Sequence, residues 1–189
     1  MDAFSYVSVL TSIVLALGIA RLLVGAGKLM EIRGRLRVYW VHLMWVANVF
    51  LFLAMQWWIL FRWQGWTDWN FFLYLFLIAS PTVAFLLCVL LFPEPVNELT
   101  DFKQHFYSNR RAFFALAALL APLDLIDTTL KGYDHLVAQG PIYIVTLVIT
   151  SSLSLVAAST NNEKYHKAYS VFFFIYLLAF ITINLNLLA

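Results

Sequence analysis

Charged residues are scarce in this chain of 189 residues: Asp, Glu, Lys and Arg together make up 12% of it, against about 25% in soluble domains. Hydrophobic residues make up 63%, against about 45–50% in such domains. Soluble globular proteins and intrinsically disordered ones are both excluded, because neither combines so much apolar sequence with so little charge. We therefore expect an integral membrane protein whose principal partner is the lipid bilayer.

Cysteine and the familiar catalytic motifs are nearly or wholly missing. Cys88 is the single cysteine, so no intrachain disulfide can form. The sequence contains no Gly-rich phosphate loop and no His-Glu-x-x-His, Cys-x-x-Cys or Gly-x-Ser-x-Gly motif, which carry much phosphate, zinc, thiol and serine chemistry. We therefore predict no catalytic residue and no metal site, and an enzyme is the less favoured class.

Long apolar runs are what the sequence has instead. About 20 residues are needed to cross roughly 30 Å of hydrocarbon as a helix, and six runs are long enough. Short connections join them, so residues 1–189 are predicted to form one all-α transmembrane domain, a bundle of six helices. The predicted spans cover residues 4–26, 38–61, 69–92, 112–130, 141–160 and 168–189.

The longest connection carries a helical pattern of its own. Pro93 and Pro95 end the third span, because proline cannot continue a helix. Leu99, Phe102 and Phe106 then recur at helical spacing among polar residues. This pattern predicts a separate short helix near residues 98–107 that lies in the cytoplasmic interface of the membrane.

Lys and Arg are unevenly distributed between the two sets of connections. Nine of them lie in residues 27–37, 93–111 and 161–167, and only Arg62 and Lys131 lie in the other connections. The positive-inside rule assigns the side with nine cations to the cytoplasm and both termini to the outside. The plasma (inner) membrane is the expected location, and the small net positive charge then reflects orientation, so no nucleic-acid partner is predicted.

All seven tryptophans lie between residues 40 and 69. Because amphipathic rings favour the headgroup layer, those at the outer exit of the second span are predicted to form an aromatic belt. An aromatic cage for a cationic or quinone-like ligand is the alternative. The predicted belt consists of Trp57, Trp58, Trp63, Trp66 and Trp69.

Two carboxylates lie inside the fourth span, where an ionisable group costs roughly 2.5–3.5 kcal/mol and is a functional candidate by default. Asp124 and Asp127 are one helical turn apart and share a face with Thr128. Two carboxylates this close could bind a cation or share a proton, so these three residues are the candidate ion or proton site. In the structural alternative, Asp127 pairs with Lys131 and Asp124 accepts a hydrogen bond from another span.

Polar residues in the first two spans are further candidates. Arg21 either snorkels to the cytoplasmic headgroups or binds a buried acceptor, such as an anion or a lipid phosphate. His42, Asn48 and Gln56 lie within about a third of the circumference of the second span. They are predicted to line a hydrated path, and hydrogen bonding to neighbouring helices is the alternative.

No cofactor is predicted, although His42 and His166 lie on different spans at similar depth and leave bis-histidine haem as an alternative. The favoured function is permeation, as a channel or small transporter with Asp124 as its intramembrane carboxylate. The alternatives are an accessory or structural subunit of a larger membrane complex, and a membrane redox or lipid-modifying enzyme that uses the cytoplasmic-side histidines. Small residues at close-packing intervals in the first and fifth spans predict a homo-oligomer or a partner membrane subunit.

Overall fold

A computed structural model describes residues 2–32, 38–96 and 100–185. These residues form helices and connections without any strand, and six of the helices are long and apolar enough to cross a membrane. The predicted all-α bundle of six spanning helices is therefore confirmed. The helices are α1 (Ala3–Glu31), α2 (Trp40–Leu60), α3 (Phe71–Leu91), α4 (Phe102–Leu130), α5 (Tyr133–Ala138), α6 (Gly140–Ser159) and α7 (Glu163–Asn184).

Short polar side chains mark where four of the spanning helices begin. Each accepts a hydrogen bond from a backbone N–H in the first turn of its helix, and such a cap stabilises a helix by about 1 kcal/mol. The caps lie at both ends of the bundle, so they limit the spans from either side. The capping residues are Asp2 of α1, Asn70 of α3, Asp101 of α4 and Asn162 of α7.

The prediction of a separate interfacial helix near residues 98–107 is wrong. Residues 102–107 are the first turns of α4, which runs without a break for 29 residues. Phe102 and Phe106 of this segment are buried and pack against His42 and Tyr39 of the second span region. Their apolar face therefore belongs to the bundle, and a tertiary contact replaces the expected contact with lipid headgroups. Residues 98 and 99 lie outside the described part of the chain.

Successive spans run in opposite directions, and contacts at each end of the bundle show which connections lie together. At one end, the Lys103 ammonium lies 2.6 Å from the Glu163 carboxylate, which joins the starts of α4 and α7. The described residues of the three predicted cytoplasmic connections lie at this end, and we call it the basic end. The opposite end, which carries residues 57–70, is called the tryptophan end. The membrane and the side that the basic end faces stay predictions.

The larger of the two buried hydrophobic clusters, which includes Tyr39, Phe102 and Phe114, lies in the basic half of the bundle. α4 packs along α6 and α3, α3 packs along α1, and α2 packs along α7. At Gly25 of α1 the neighbouring helix approaches so closely that a Cβ atom would lie 2.5 Å from the Phe92 ring. α6 and α7 are adjacent in sequence but contact each other little, which leaves space inside the other half of the bundle.

Candidate ligand cavity

A cavity of about 160 Å³ lies among the six spanning helices. Because one water molecule needs about 10–15 Å³ by this measure, the cavity has room for several waters or a small organic molecule. Its wall is largely aliphatic and aromatic, with a few polar side chains at separate depths. The polar residues that matter most below are Asn48, Gln56, Asp124, Asp127 and Tyr143.

Asp124 lines this cavity and takes part in a hydrogen-bonded chain to α6. The Tyr143 hydroxyl donates to the Asp124 carboxylate at 2.8 Å and lies 2.8 Å from the Thr128 hydroxyl, which can donate to it in turn. Thr128 is buried and is linked to Asp124 through the Tyr143 hydroxyl. Among the described residues Asp124 has no ion-pair partner.

Asp127, one turn further along α4, has a full set of partners. One carboxylate oxygen lies 2.5 Å from the Lys131 ammonium, and the other accepts a hydrogen bond from the Trp63 indole N–H at 3.0 Å. The Lys131 ammonium also lies 4.9 Å from the centre of the Trp63 ring, within range of a cation–π interaction. Asp127 thus pairs with Lys131, as the structural alternative for this pair of carboxylates predicted. Asp124 accepts a hydrogen bond from another span, as the same alternative predicted.

Trp63 does not belong to the predicted aromatic belt. Trp57 and Trp58 are exposed and Trp66 and Trp69 are half-buried, but only 2% of Trp63 is exposed. α2 ends at Leu60 and a single 3₁₀ turn, Phe61–Trp63, follows. This turn directs the Trp63 ring into the bundle and onto Asp127, so a headgroup position is wrong for this residue.

Two of the three predicted lining residues of the second span do line the cavity. Gln56 donates to the Ser80 hydroxyl at 2.5 Å. Asn48 is wholly buried and donates to the Ser170 carbonyl at 3.0 Å. The Oδ1 atom of Asn48 has no hydrogen-bond partner within residues 2–32, 38–96 and 100–185, although buried polar atoms nearly always have one.

His42 is not a lining residue, and the prediction for it is wrong. Its side chain lies beyond the cavity, toward the basic end. Nε2 is 2.6 Å from the Leu91 carbonyl oxygen, and the ring packs between Phe92 and Phe102. His42 shares a face of α2 with Gln56, so the error is one of depth. The bulky Trp45 ring comes between His42 and the cavity.

A cluster of five aromatic residues, which we call the aromatic plug, closes the cavity toward the basic end. It consists of Trp45, Phe113, Phe114, Tyr169 and Phe173. The Trp45 ring packs against the other four rings, whose centres lie 5.0–5.5 Å from its own. Trp45 is buried, and its indole N–H has no hydrogen-bond partner in the described structure.

The histidines of the basic end are packed as parts of an aromatic core. Nε2 of His166 lies 3.0 Å from the Thr160 carbonyl oxygen, and its ring stacks on Phe114 and contacts the edge of Phe106. Phe102 packs on His42 in the same way. Buried phenyl rings thus take the space beside both histidines that a haem macrocycle would need, so the residues present do not fit that group.

Arg21 finds its acceptors within the chain. Its guanidinium donates to the Phe92 carbonyl at 3.2 Å and lies 3.0 Å from the carboxylate of Glu94. Both acceptors belong to the segment that follows α3, and Glu94 is largely exposed. The predicted anion or lipid contact is therefore not needed to balance this arginine, which ties α1 to the end of α3.

The cavity widens where α6 and α7 separate. In the described part of the chain, the hydrogen bonds between these helices lie in the basic half, as between Tyr165 and the Leu153 carbonyl at 2.6 Å. Toward the tryptophan end, Tyr143 of α6 and Tyr176 of α7 both line the cavity. Asp124, which also lines the cavity, is an exposed residue.

Comparison of the chain with protein-family models, with curated proteins and with solved structures gives no match. The chemistry of the cavity can still be stated from its residues. Among the described residues it offers one carboxylate without an ion-pair partner and aromatic rings near the tryptophan end, an apolar wall below them, and the unpartnered amide oxygen of Asn48 near the plug. A carboxylate and aromatic rings in one cavity are groups that can hold a cation.

Proposed function

We propose that the chain is a small transporter that accepts a cation, or a proton, at Asp124 in the central cavity. The observation that carries this proposal is a carboxylate that lines a cavity among six spanning helices and has no ion-pair partner among the described residues. A carboxylate inside a membrane is costly unless it is paired or protonated. The missing partner is therefore expected to be the transported species.

The aromatic plug favours a transporter over a channel. A channel needs a continuous route when it is open, whereas a transporter exposes its site to one side at a time by moving helices against each other. Here the cavity is accessible near the tryptophan end and closed by Trp45 and its neighbours near the basic end. This arrangement is typical of one state of an alternating-access cycle.

The other two function classes are less well supported by the packing. A redox or lipid-modifying enzyme would need accessible histidines, but His42 and His166 are buried and bonded to backbone carbonyls. An accessory subunit would be recognised by a stable heterologous partner after gentle solubilisation. Assembly as a homo-oligomer stays a prediction, which native mass spectrometry of the detergent-solubilised protein would test.

The proposal is tested by cation uptake into proteoliposomes that contain the purified full chain. Radiolabelled methylammonium and rubidium and a pH-sensitive dye inside the vesicles would report organic, inorganic and proton flux. Asp124→Asn should lower the flux of the transported species by about tenfold or more, since a contact to a charged group contributes about 1.5–3 kcal/mol. The matched control is Asp134→Asn, which removes the same charge from an exposed residue outside the spans.

Asp124→Asn is a conservative change in this setting. The amide oxygen of Asn can still accept the hydrogen bond from Tyr143, so the contact between α4 and α6 is retained. Thermal unfolding and gel filtration would confirm that the variant folds. Equal flux in a folded Asp124→Asn variant, for all three species, would overturn the proposal.

A further inference from the structure

The chain already binds one ammonium group of its own beside the cavity. The Lys131 ammonium lies 2.5 Å from the Asp127 carboxylate and 4.9 Å from the centre of the Trp63 ring, and only 9% of the Lys131 side chain is exposed. Trp63 in turn donates its indole N–H to the same carboxylate at 3.0 Å. A carboxylate and an aromatic face around a desolvated ammonium are the usual elements of organic-cation recognition.

Asp124 offers the same elements one turn closer to the basic end, and no lysine of the described residues pairs with it. Its carboxylate accepts the Tyr143 hydroxyl at 2.8 Å, and Tyr176 and Phe180 of α7 line the same part of the cavity. The resemblance between the two sites is chemical: each combines a carboxylate with aromatic side chains from a neighbouring segment. The group bound at Asp127 therefore indicates the kind of group that Asp124 can accept.

The cavity wall below Asp124 is apolar. Phe52, Ala117, Leu120 and Leu147 line it between Asp124 and the aromatic plug. Two of its polar residues are engaged within the protein: Gln56 donates to the Ser80 hydroxyl at 2.5 Å, and Thr150 donates its hydroxyl to the Thr146 carbonyl of its own helix at 2.9 Å. Hard inorganic cations need several oxygen ligands, whereas aliphatic and aromatic side chains predominate on this wall. A hydrocarbon substituent on the cation would instead be buried here favourably.

A second, independent observation points to a ligand in the same cavity. Asn48 is 0% exposed and lines the inner part of the cavity, yet its Oδ1 atom has no hydrogen-bond partner in the part of the chain that the structure describes. Trp45 packs on Phe113, so these two residues lie at the same depth in the bundle. Counting about 1.5 Å per residue from that depth along α2 and along α4, Asn48 lies roughly 12 Å closer to the basic end than Asp124. A polar group at the far end of an elongated ligand, or a water bound with it, would satisfy this oxygen.

We infer that the cavity binds an elongated organic ammonium ion, with its charged end at Asp124 and its hydrocarbon body along the apolar wall toward Asn48. This inference deepens the proposed function and rests on it for the role of the site. It distinguishes an organic ammonium from a proton or an inorganic cation as the species that Asp124 receives.

The inference is tested by calorimetric binding of cations to the purified full chain in detergent. The probes are methylammonium, n-butylammonium, n-hexylammonium, sodium and potassium ions. Each added methylene should strengthen binding roughly fourfold while the chain remains within the cavity. Asp124→Asn should abolish saturable binding of all the ammonium ions, and its residual heats measure partition into the detergent micelle.

A second variant separates the hydrocarbon contact from the charge. Leu147→Ala removes part of the apolar wall and keeps the carboxylate, so it should weaken the binding of n-hexylammonium more than that of methylammonium and reduce the ratio of the two affinities. The inference is overturned if sodium or potassium binds as tightly as n-hexylammonium, or if the gain with chain length persists in Asp124→Asn.

The proposed function and the inferred ligand class are contradicted by different results. If no cation is transported but n-hexylammonium binds at Asp124, the proposed function is wrong and the ligand class stands. If flux depends on Asp124 and chain length brings no gain in binding, the proposed function stands and the ligand class is wrong.

Discussion

Asp124 and Asp127 are the same residue type on the same helix, one turn apart, and the bundle treats them differently. Asp127 binds Lys131 and Trp63 and is part of the structure of the tryptophan end. Asp124 receives one hydroxyl, from Tyr143, and faces a cavity without an ion-pair partner among the described residues. The comparison separates a carboxylate that stabilises the fold from one that is available to a ligand.

The largest expected difference between the two carboxylates is in the free energy of unfolding after each is removed in turn. Asp127→Asn leaves Lys131 without a counter-charge in a mostly buried position and should lower the free energy of unfolding by about 3 kcal/mol. Asp124→Asn should leave it unchanged or raise it, because no ion pair is lost. Thermal unfolding in the same detergent measures both, and an equal loss in the two variants would contradict the distinction.

Trp63 provides the next largest effect. Trp63→Phe keeps a ring in the buried position and removes the N–H that Asp127 accepts, so it should lower the free energy of unfolding by about 2 kcal/mol. Trp57→Phe is the matched control, since Trp57 is exposed and its N–H donates to Ser12 at the surface. A loss in the control as large as that in Trp63→Phe would show that burial of Trp63 does not matter.

Lys131→Met should make Asp127 resemble Asp124. Methionine keeps an apolar side chain of similar length and removes the ammonium, so Asp127 and the Trp63 ring become free to bind an added cation. We expect the number of methylammonium ions bound per chain to rise from one to two, with the second affinity within about tenfold, or about 1.4 kcal/mol, of the first. Calorimetry counts the sites, and an unchanged number would show that Asp127 cannot exchange its lysine for a free ammonium.

The smallest effect concerns His135, which lies on α5 outside the spans. Partial burial, reinforced by the positive charges of Lys131 and Arg62, lowers the pKa of His135. The unfolded chain, with a pKa of about 6.5, then binds more protons than the folded one in mildly acidic solution, so stability falls as the pH drops through that value. His135→Asn should flatten the dependence of the melting temperature on pH between about pH 7 and pH 5. A profile as steep in the variant as in the unmodified chain would assign this dependence to other groups.

Sequence reasoning reached the site residues more easily than their partners. The spacing of Asp124 and Asp127 was enough to place both on one face of a helix, and the pairing of Asp127 with Lys131 is local, four residues along α4. The pairing of Trp63 with Asp127 joins segments 64 residues apart and depends on a 3₁₀ turn that no residue pattern marked. Tyr143 was missed for the same reason, since nothing in the sequence of α6 connects it with α4.

The histidines show the opposite kind of error. His42 was grouped with Asn48 and Gln56 because the three share part of the circumference of α2, and helical periodicity reports angle well. It does not report what fills the space at a given depth. The Trp45 ring ends the cavity between His42 and Asn48, and the phenyl rings that surround His42 come from segments about 50 and 60 residues further along the chain.

By itself, the sequence determined that the chain is a bundle of six spanning helices and which connections share an end, because hydrocarbon thickness and backbone hydrogen bonding leave a long apolar run little alternative to a helix. It also placed two carboxylates within one span. Only the tertiary structure decided that one of them is neutralised and the other faces a cavity, because the lateral and rotational packing of helices in a bilayer depends on side-chain contacts between distant segments. Those contacts are set by shape and hydrogen bonding between helices, which hydropathy does not record.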